Sequence, residues 1–256
     1  MLYVPDNVKS FLTELGEIAR FSTRFFREGF LPRFEWEEFF RQCYVVGYRS
    51  LPLVGLTAFI IGLVLTMQLR PTMVYYGVEV QIPAMVGIAI VREVGPILTA
   101  LIFAGKIGSS IGAELGSMKV TEQIDAMEVS GTNPFKYLVV TRTLATMLML
   151  PVLVILSDTI SLFGAYLGVN LYETLTYPLF FKKVFDNLTY IDIIPAFIKT
   201  FFFGFAVGII GCYKGYYCEK GTEGVGISAN SSVVASSVAI FILDLIAVQI
   251  SDMFQP

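Results

Sequence analysis

Long stretches of apolar residues dominate this chain and limit the folds that it can adopt. Hydrophobic residues make up 55% of its 256 positions and charged residues only 15%, whereas soluble domains contain about 25% charged residues. Apolar stretches of roughly 18 residues or more are typical of helices that cross a lipid bilayer. The sequence therefore predicts an all-α integral membrane protein.

Five such stretches define the predicted topology. They lie near residues 51–69, 82–112, 138–169, 192–213 and 232–252. Lys and Arg are concentrated before the first stretch, and cytoplasmic segments are enriched in these residues. The N-terminus is therefore expected in the cytoplasm, and five crossings place the C-terminus on the opposite, outer side.

The N-terminal region, residues 1–50, is amphipathic. Apolar residues recur at helical spacing on one face of its first helix, at Val8, Phe11, Leu12, Leu15, Ile18, Ala19 and Phe25. The other face contains Glu14, Glu17, Arg20, Arg24 and Arg27. A second amphipathic piece has an apolar face made of Trp36, Phe39, Phe40, Cys43 and Val46. Such a helix can lie in the membrane interface, and packing against a soluble partner is the alternative.

A polar segment, AELGSMKVTEQIDAMEVSGTNP at residues 113–134, separates the second and third predicted spans. The topology places it in the cytoplasm. Thr121 is expected to cap a short helix, and Gly131 and Pro134 to end it. At about nine residues and 14 Å this helix is too short to cross a membrane. It combines an apolar face (Val120, Ile124, Met127) with an acidic one (Glu122, Asp125, Glu128), which favours a docking element over a solvated loop.

Two charged residues, Arg92 and Glu93, lie about ten residues into the second predicted span, near the middle of the bilayer. A charge there costs roughly 2.5–3.5 kcal/mol on insertion scales, so such residues normally face a cavity or form a pair. Pro96 lacks an N–H and leaves the carbonyl of Arg92 without its helical partner. A locally broken helix at this depth is typical of a substrate-site wall, and a structural ion pair is the alternative. Because adjacent helical residues point about 100° apart, we expect one to line a cavity and the other to contact a neighbouring helix.

Two further charged residues are predicted to meet. Lys199 and Asp244 both lie roughly 10 Å below the outer surface, in the fourth and fifth spans. Consecutive spans are often neighbours, so we expect one polar cluster, with Asp158 of the third span as a further candidate. Both a structural ion pair and a contact of Lys199 with a lipid phosphate are consistent with this arrangement.

Small residues recur at GxxxG spacing, which lets helices approach closely. The motifs are Gly108/Gly112/Gly116, Gly164/Gly168 and Gly204/Gly208. Close packing inside one chain and an interface between two copies are both consistent with these motifs.

The composition excludes several functions. The sequence contains no histidine, which removes Ser-His-Asp and Cys-His catalysis and most transition-metal sites. Its three cysteines form no CxxC pair, and no GxxxxGK[ST] phosphate-binding loop occurs. The net charge is −3 without a basic domain, so a nucleic-acid partner is not expected.

Residues 92–142 contain a distinctive succession of motifs. They read REVGPILTALIFAGKIGSSIGAELGSMKVTEQIDAMEVSGTNPFKYLVVTR. The elements REVGP, AGKIGS, AELGSMKVTEQIDAM and PFKYLVVTR follow one another in the order and spacing of the MlaE family of ABC-transporter permeases, which this stretch closely resembles. A weaker match continues through GYYCEKGTEGVGISANSSVVASSVAIFILDL at 215–245.

The resemblance implies a permease domain over residues 51–256, preceded by the interfacial helix and containing a cytoplasmic coupling helix near 117–130. Family members work as homodimers in the bacterial inner membrane, together with an ABC ATPase and an MCE-domain lipid-binding protein. Their cargo is lipid, usually phospholipid, moved between the inner and outer membranes, which bears on outer-membrane lipid asymmetry. ATP and Mg would bind the ATPase, and no cofactor, metal or catalytic residue is expected on this chain.

Two sets of candidate site residues result. The substrate-cavity candidates are Arg92, Glu93, Lys199 and Asp244. The ATPase-coupling candidates are Glu114, Lys119, Glu122, Gln123, Ile124, Asp125 and Met127. One alternative is an ion-coupled secondary transporter that uses the intramembrane charges as a relay. Another is a non-transporting scaffold in which the same charges form structural pairs.

Overall fold

A computed structural model of the chain describes residues 6–29 and 34–253, with side chains from Leu12 onwards. Within these ranges all regular secondary structure is helical, which confirms the predicted class. The α-helices are α1 (Asp6–Gly29), α2 (Trp36–Gly47), α3 (Leu51–Tyr75), α4 (Ile82–Ala89), α5 (Gly95–Phe103), α6 (Ser109–Val120), α7 (Gln123–Val129), α8 (Thr141–Asn170), α9 (Tyr177–Asn187), α10 (Tyr190–Tyr216) and α11 (Thr222–Met253). The side chains of Val8 and Phe11, and residues 254–256, lie outside the described part.

In the part of the chain that the structure describes, five helical runs are long and apolar enough to cross a membrane, as predicted. They are Trp36–Tyr75, Glu79–Val120, Phe135–Asn170, Tyr190–Tyr216 and Thr222–Met253. The first run is longer than expected, because a 3-10 turn at Tyr48–Ser50 joins α2 to α3. Pro52 falls in the first turn of α3, where a missing N–H is tolerated. The second amphipathic piece is therefore continuous with the first span.

The second and third runs contain wider, π-helical turns at Ile90–Val94, Ala104–Gly108 and Phe135–Val140. In the first of these the N–H of Gly95 donates to the carbonyl of Ile90, five residues earlier. The next residue, Pro96, has no N–H to continue the ladder. The predicted local break beside Arg92 and Glu93 is thus confirmed as a π-helical turn.

The chain divides into two compact units, each of which has its own core. The first combines α1 and most of α2 with residues 104–146 and 205–236. The second combines residues 44–103 and 147–204 with residues from 237 onwards. A core cluster in the second unit forms around Val86 and Ile90, with Phe180 and Val184 of α9 packed against them.

Helix α1 belongs to the core of the first unit. Phe21 is buried, and its ring lies 4.9 Å from that of Phe135 and 5.6 Å from that of Tyr213. The protein-facing side of α1 also includes two acids that the sequence assigned to its polar face. Glu17 accepts a 2.6 Å hydrogen bond from the Tyr213 hydroxyl, and Glu14 pairs with Lys214 at 2.6 Å. Polar partners on α10 thus bind two acids of the face that the sequence identified as polar.

The glycine motifs mediate packing within the chain. A Cβ on Gly112 of α6 would meet the Ser232 hydroxyl of α11 at 2.5 Å, and the Ser228 hydroxyl donates to the carbonyl of Gly112 at 3.1 Å. In the second unit, a Cβ on Gly164 of α8 would collide with the backbone carbonyl of Phe59 on α3. These motifs therefore bring neighbouring helices of one chain into backbone contact.

Candidate functional site

The predicted polar cluster is centred on Lys199 of α10, whose side chain is only 5% exposed. Its ammonium donates to the Glu93 carboxylate of the π-helical turn at 2.7 Å and to the Asp244 carboxylate of α11 at 2.9 Å. The predicted meeting of Lys199 and Asp244 is confirmed. One ammonium group thus faces two carboxylates, which compensates the cost of holding a charge inside a membrane span.

A second layer of ion pairs surrounds Arg92. Its guanidinium lies 3.0 Å from the Asp252 carboxylate of α11 and 3.7 Å from the Asp192 carboxylate of α10. Asp192 precedes Lys199 by seven residues and Asp252 follows Asp244 by eight, so each pair is separated by about two helical turns. The two acids therefore reach Arg92 from the helix faces that hold the first layer. This spacing was the sequence signal that could have identified them.

The expectation that only one of Arg92 and Glu93 would be held by neighbouring helices was wrong. Both are paired, because α10 and α11 present charged partners at two successive levels. Asp158, the further candidate, packs its carboxylate against Gly95. Its Oδ1 atom is buried without a hydrogen-bond partner among the residues that the structure describes, although Lys199 acts on it electrostatically.

An apolar cavity of about 590 Å³ adjoins this cluster between α10 and α11. Its walls include Ile194, Ile198, Phe202, Leu243, Ile246 and Ile250. Among the described residues that line it, Lys199 is the only charged one. Arg92 and Glu93 instead line a small polar cleft next to it, and Asp244 reaches the cavity only through its ion pair with Lys199. The cavity has the size and the mainly apolar lining of a small-molecule site.

The polar segment between the second and third runs contains helix α7, which is seven residues long. Thr121 does not cap it: its hydroxyl donates to the carbonyl of Ser117 at 2.8 Å and so ends α6. The turn between the helices is made by Glu122, which adopts a left-handed conformation at φ 58°. The predicted stop is confirmed, because Gly131 has a φ of +80°.

The end of α7 has the hydrogen bonds of a Schellman motif. The N–H of Thr132 donates to the carbonyl of Met127, and the N–H of Gly131 donates to that of Glu128, both at 3.1 Å. The left-handed conformation at Gly131 allows both bonds, and glycine adopts it without a steric cost. A defined stop at this position keeps α7 short.

The seven coupling candidates have different environments. Ile124 is 1% exposed, so it anchors α7 to its own chain and is not free to enter a partner's groove. Glu122 and Gln123 are exposed, and Met127 is half-buried. Asp125 pairs with Lys119 at 2.8 Å on the surface. Glu114 has a partner in its own chain, described next.

A second buried ion pair was missed by the sequence reasoning. Arg142 of α8 is 1% exposed and pairs with the half-exposed Glu114 of α6 at 2.8 Å. A second nitrogen of its guanidinium donates to the carbonyl of Leu138 at 3.1 Å. An arginine inside the predicted third span was the available signal. Nearby, the buried Glu38 of α2 accepts bonds from Arg41, Gln42 and Tyr137.

Five apolar helical runs among the described residues, with an ion-paired cluster and an apolar cavity beside it, are the features of a multi-pass membrane protein. Comparison with models of protein families identifies the family within this class. The family model described as Permease MlaE matches residues 39–250, and the chain belongs to that family.

Several relatives are similar over most of their length. A probable ABC transporter permease protein of Rickettsia typhi is 41% identical over 203 residues, which cover 79% of this chain and 78% of that protein. A probable ABC transporter permease protein of Pyropia yezoensis is 41% identical over 209 residues, covering 80% and 78%. One from Synechocystis is 38% identical over 203 residues, covering 78% and 76%. The chain is therefore a transport subunit of the ABC permease class.

Proposed function

We propose that this chain is the permease subunit of an ATP-driven transporter that moves phospholipid between the inner and outer membranes of a bacterial cell. In this proposal it works as a homodimer with a separate ABC ATPase and an MCE-domain lipid-binding protein. Such transport would contribute to the lipid asymmetry of the outer membrane. The main support is the apolar cavity with one charged residue, Lys199, in its wall.

This cavity suits an amphiphile. The aliphatic and aromatic side chains of α10 and α11 can cover an acyl chain. Each methylene group left in water during transfer would cost about 0.8 kcal/mol, so a lipid needs such a wall. The phosphate of the same molecule would meet Lys199, which can exchange a carboxylate partner for a phosphate oxygen. Arg92 and Glu93 would then tune the charge at the edge of the site.

Energy would enter through α7. The exposed Glu122, Gln123 and Asp125 are available for a groove on the ATPase, while Ile124 fixes the helix to the permease. Glu114, Lys119 and Met127 would complete the contact. ATP and Mg would bind to the ATPase chain, because this sequence has no phosphate-binding loop of its own.

The same proposal places the chain in the inner membrane. The Lys and Arg bias puts the N-terminus and α7 in the cytoplasm. After five spans the C-terminus lies in the periplasm, where the MCE-domain protein would receive or deliver lipid. The division of the chain into an interfacial region, 1–50, and a permease domain, 51–256, belongs to this proposal.

The test is reconstitution of the chain with its ATPase and MCE-domain protein in vesicles that contain a fluorescent phospholipid. ATP should drive transfer, and Lys199→Ala should impair it. Lys220→Ala, which removes an equal charge from an exposed turn, should leave transfer unchanged.

Other outcomes would identify the alternatives. Transfer driven by a proton gradient without ATP would replace the proposal with an ion-coupled secondary transporter. A stable complex with no ATP-dependent transfer would point to a scaffold. Failure of the chain to co-purify with any ATPase would contradict the proposal directly.

A further inference from the structure

A continuous row of aromatic rings connects the exposed side of α8 to helix α9. Within α8, the rings of Phe163 and Tyr166 lie 6.4 Å apart. The row continues from Tyr166 to Tyr177 at 5.4 Å, from Tyr177 to Phe181 at 4.5 Å, and from Phe181 to Phe185 at 6.1 Å. These separations are in the range in which aromatic rings attract each other. The row is thus a single packed surface feature.

Helix α9 has two different apolar faces. Phe180 and Val184 are fully buried against the core around α4. The second face is a stripe of Tyr177, Phe181 and Phe185, spaced four residues apart on one side of the helix. Tyr177 is 51% exposed and Phe185 61% exposed. Phe181, between them, is half-buried and packs against the same core, so α9 leaves the outer part of this face, at Tyr177 and Phe185, without a protein cover in the described structure.

We infer that α9 lies in the lipid–water interface of the membrane, with the stripe Tyr177–Phe181–Phe185 immersed in lipid. The stripe is continuous, through Tyr166, with Phe163, which is 46% exposed on a helix long and apolar enough to span the bilayer. A surface that begins on such a span continues into the same lipid. At 11 residues, or about 16 Å, α9 itself is too short to cross.

The charges of α9 fit this orientation. Lys182 is exposed and lies on the helix surface about 60° beyond Phe185, at the border between the stripe and the polar face. A lysine at such a border can extend its ammonium to the lipid phosphates while its methylene groups stay in apolar surroundings. Leu179 and Asp186 occupy the side turned away from the stripe, which faces water in this arrangement.

Exposed tyrosines at the ends of the neighbouring spans support a lipid interface at this level. Tyr75 closes α3 and is 84% exposed, and Tyr76 after it is 70% exposed. Tyr190 opens α10 and is 83% exposed. In a chain whose spans alternate in direction, these ends lie on the side of the membrane where α9 lies. Tyrosines are enriched at membrane–water interfaces.

The inference gives α9 a mechanical role in the charged site. Phe180 and Val184 pack on α4, and α4 leads directly into the π-helical turn that contains Arg92 and Glu93. An α9 fixed in the interface therefore sets the depth at which these two charged residues lie.

Tryptophan fluorescence tests this inference, because the sequence contains a single tryptophan. In a Trp36→Phe background, Phe185→Trp or Leu179→Trp supplies one reporter on the stripe or on the opposite side. The full-length protein is reconstituted in vesicles of phosphatidylcholine brominated near the head-group end of the acyl chain. We expect the Phe185→Trp reporter to lose roughly half of its fluorescence, because an interfacial helix buries its apolar face about 5–10 Å into this layer.

The Leu179→Trp reporter should instead be quenched by aqueous iodide and not by brominated lipid. A Phe185→Trp reporter that is quenched by iodide would overturn the inference, because the stripe would face water. A reporter shielded from both quenchers would also overturn it, since a protein surface such as a second copy would then cover the stripe. Tyr177→Trp, at the other exposed end of the stripe, provides a second reporter if Phe185→Trp does not fold.

Discussion

Two nearly buried cations, Arg142 and Lys199, have very different surroundings. Arg142 has one carboxylate, that of Glu114, and one backbone carbonyl, that of Leu138. Lys199 faces two carboxylates, those of Glu93 and Asp244, and also borders an apolar cavity. The two side chains are therefore buried to a similar degree. They differ in the number of carboxylates that balance their charge and in their access to a cavity. Depth inside a span does not by itself separate a structural cation from one that can bind a ligand.

The difference indicates which network can change during transport. The guanidinium of Arg142 joins α6 to α8 and is fixed by a planar set of donors. The ammonium of Lys199 is a compact charge with rotatable donors and two acids in reach, so it can exchange one partner for another. We expect the first network to determine stability and the second to determine transport.

The largest effect is expected from Lys199→Ala. It leaves Glu93 and Asp244 facing each other without a cation, and removing one partner of a buried pair costs about 3–5 kcal/mol. Both thermal stability and lipid transfer should fall. The charge-swapped Lys199→Asp/Asp244→Lys protein should recover thermal stability but not full transfer. Full recovery of transfer by the charge-swapped protein would show that the Lys199 network, like the Arg142 network, contributes only to stability.

A smaller loss is expected from Arg142→Met, at the lower end of about 3–5 kcal/mol, because Glu114 is half exposed and can be hydrated. The double substitution Arg142→Met/Glu114→Gln should recover most of the stability, measured by thermal unfolding in detergent. Binding of a fluorescent phospholipid per folded molecule should match the wild type, because neither residue lines the cavity. A stable double variant that no longer binds this lipid would end the contrast between the two networks.

Charge reversals on the surface of α7 are expected to change ATPase binding and not stability. Glu122→Lys and Asp125→Lys should leave stability nearly unchanged, because exposed ion pairs such as Asp125–Lys119 contribute about 0–1 kcal/mol. Either reversal should weaken binding of the ATPase by unfavourable charge contacts, as measured by co-purification and by ATPase activity. Glu79→Lys, on an exposed turn between the first two spans, is the matched control. Unchanged ATPase binding in both α7 variants would contradict the docking role.

The smallest effect is expected from Gly131→Ala. A side chain at a φ of +80° costs about 1 kcal/mol, so the stop of α7 should loosen without affecting the core. The unfolding temperature should fall slightly, and ATPase stimulation should fall more than lipid binding. Equal losses in both activities would indicate that α7 contributes to the fold of the site.

The spans and the Lys199–Asp244 contact could be predicted because apolar length and the cost of a buried charge are properties of the sequence itself. The side of α1 that faces the protein could not be predicted, because Glu17 bonds to Tyr213, which is distant in the chain. The left-handed Glu122 was also unpredictable, since a non-glycine residue rarely adopts this conformation. The cavity depends on how the side chains of α10 and α11 pack beside each other, which helical periodicity does not encode.

The contact between α3 and α8 has a consequence for motion. A Cβ on Gly62 would collide with the backbone carbonyl of Ser161, and one on Gly164 with that of Phe59, while the Ser161 hydroxyl bonds to the carbonyl of Ala58 at 2.8 Å. Because the backbones of the two helices are in direct contact, a change of side-chain rotamer cannot make room for one helix to slide past the other. The pair is therefore expected to move as one rigid body during transport.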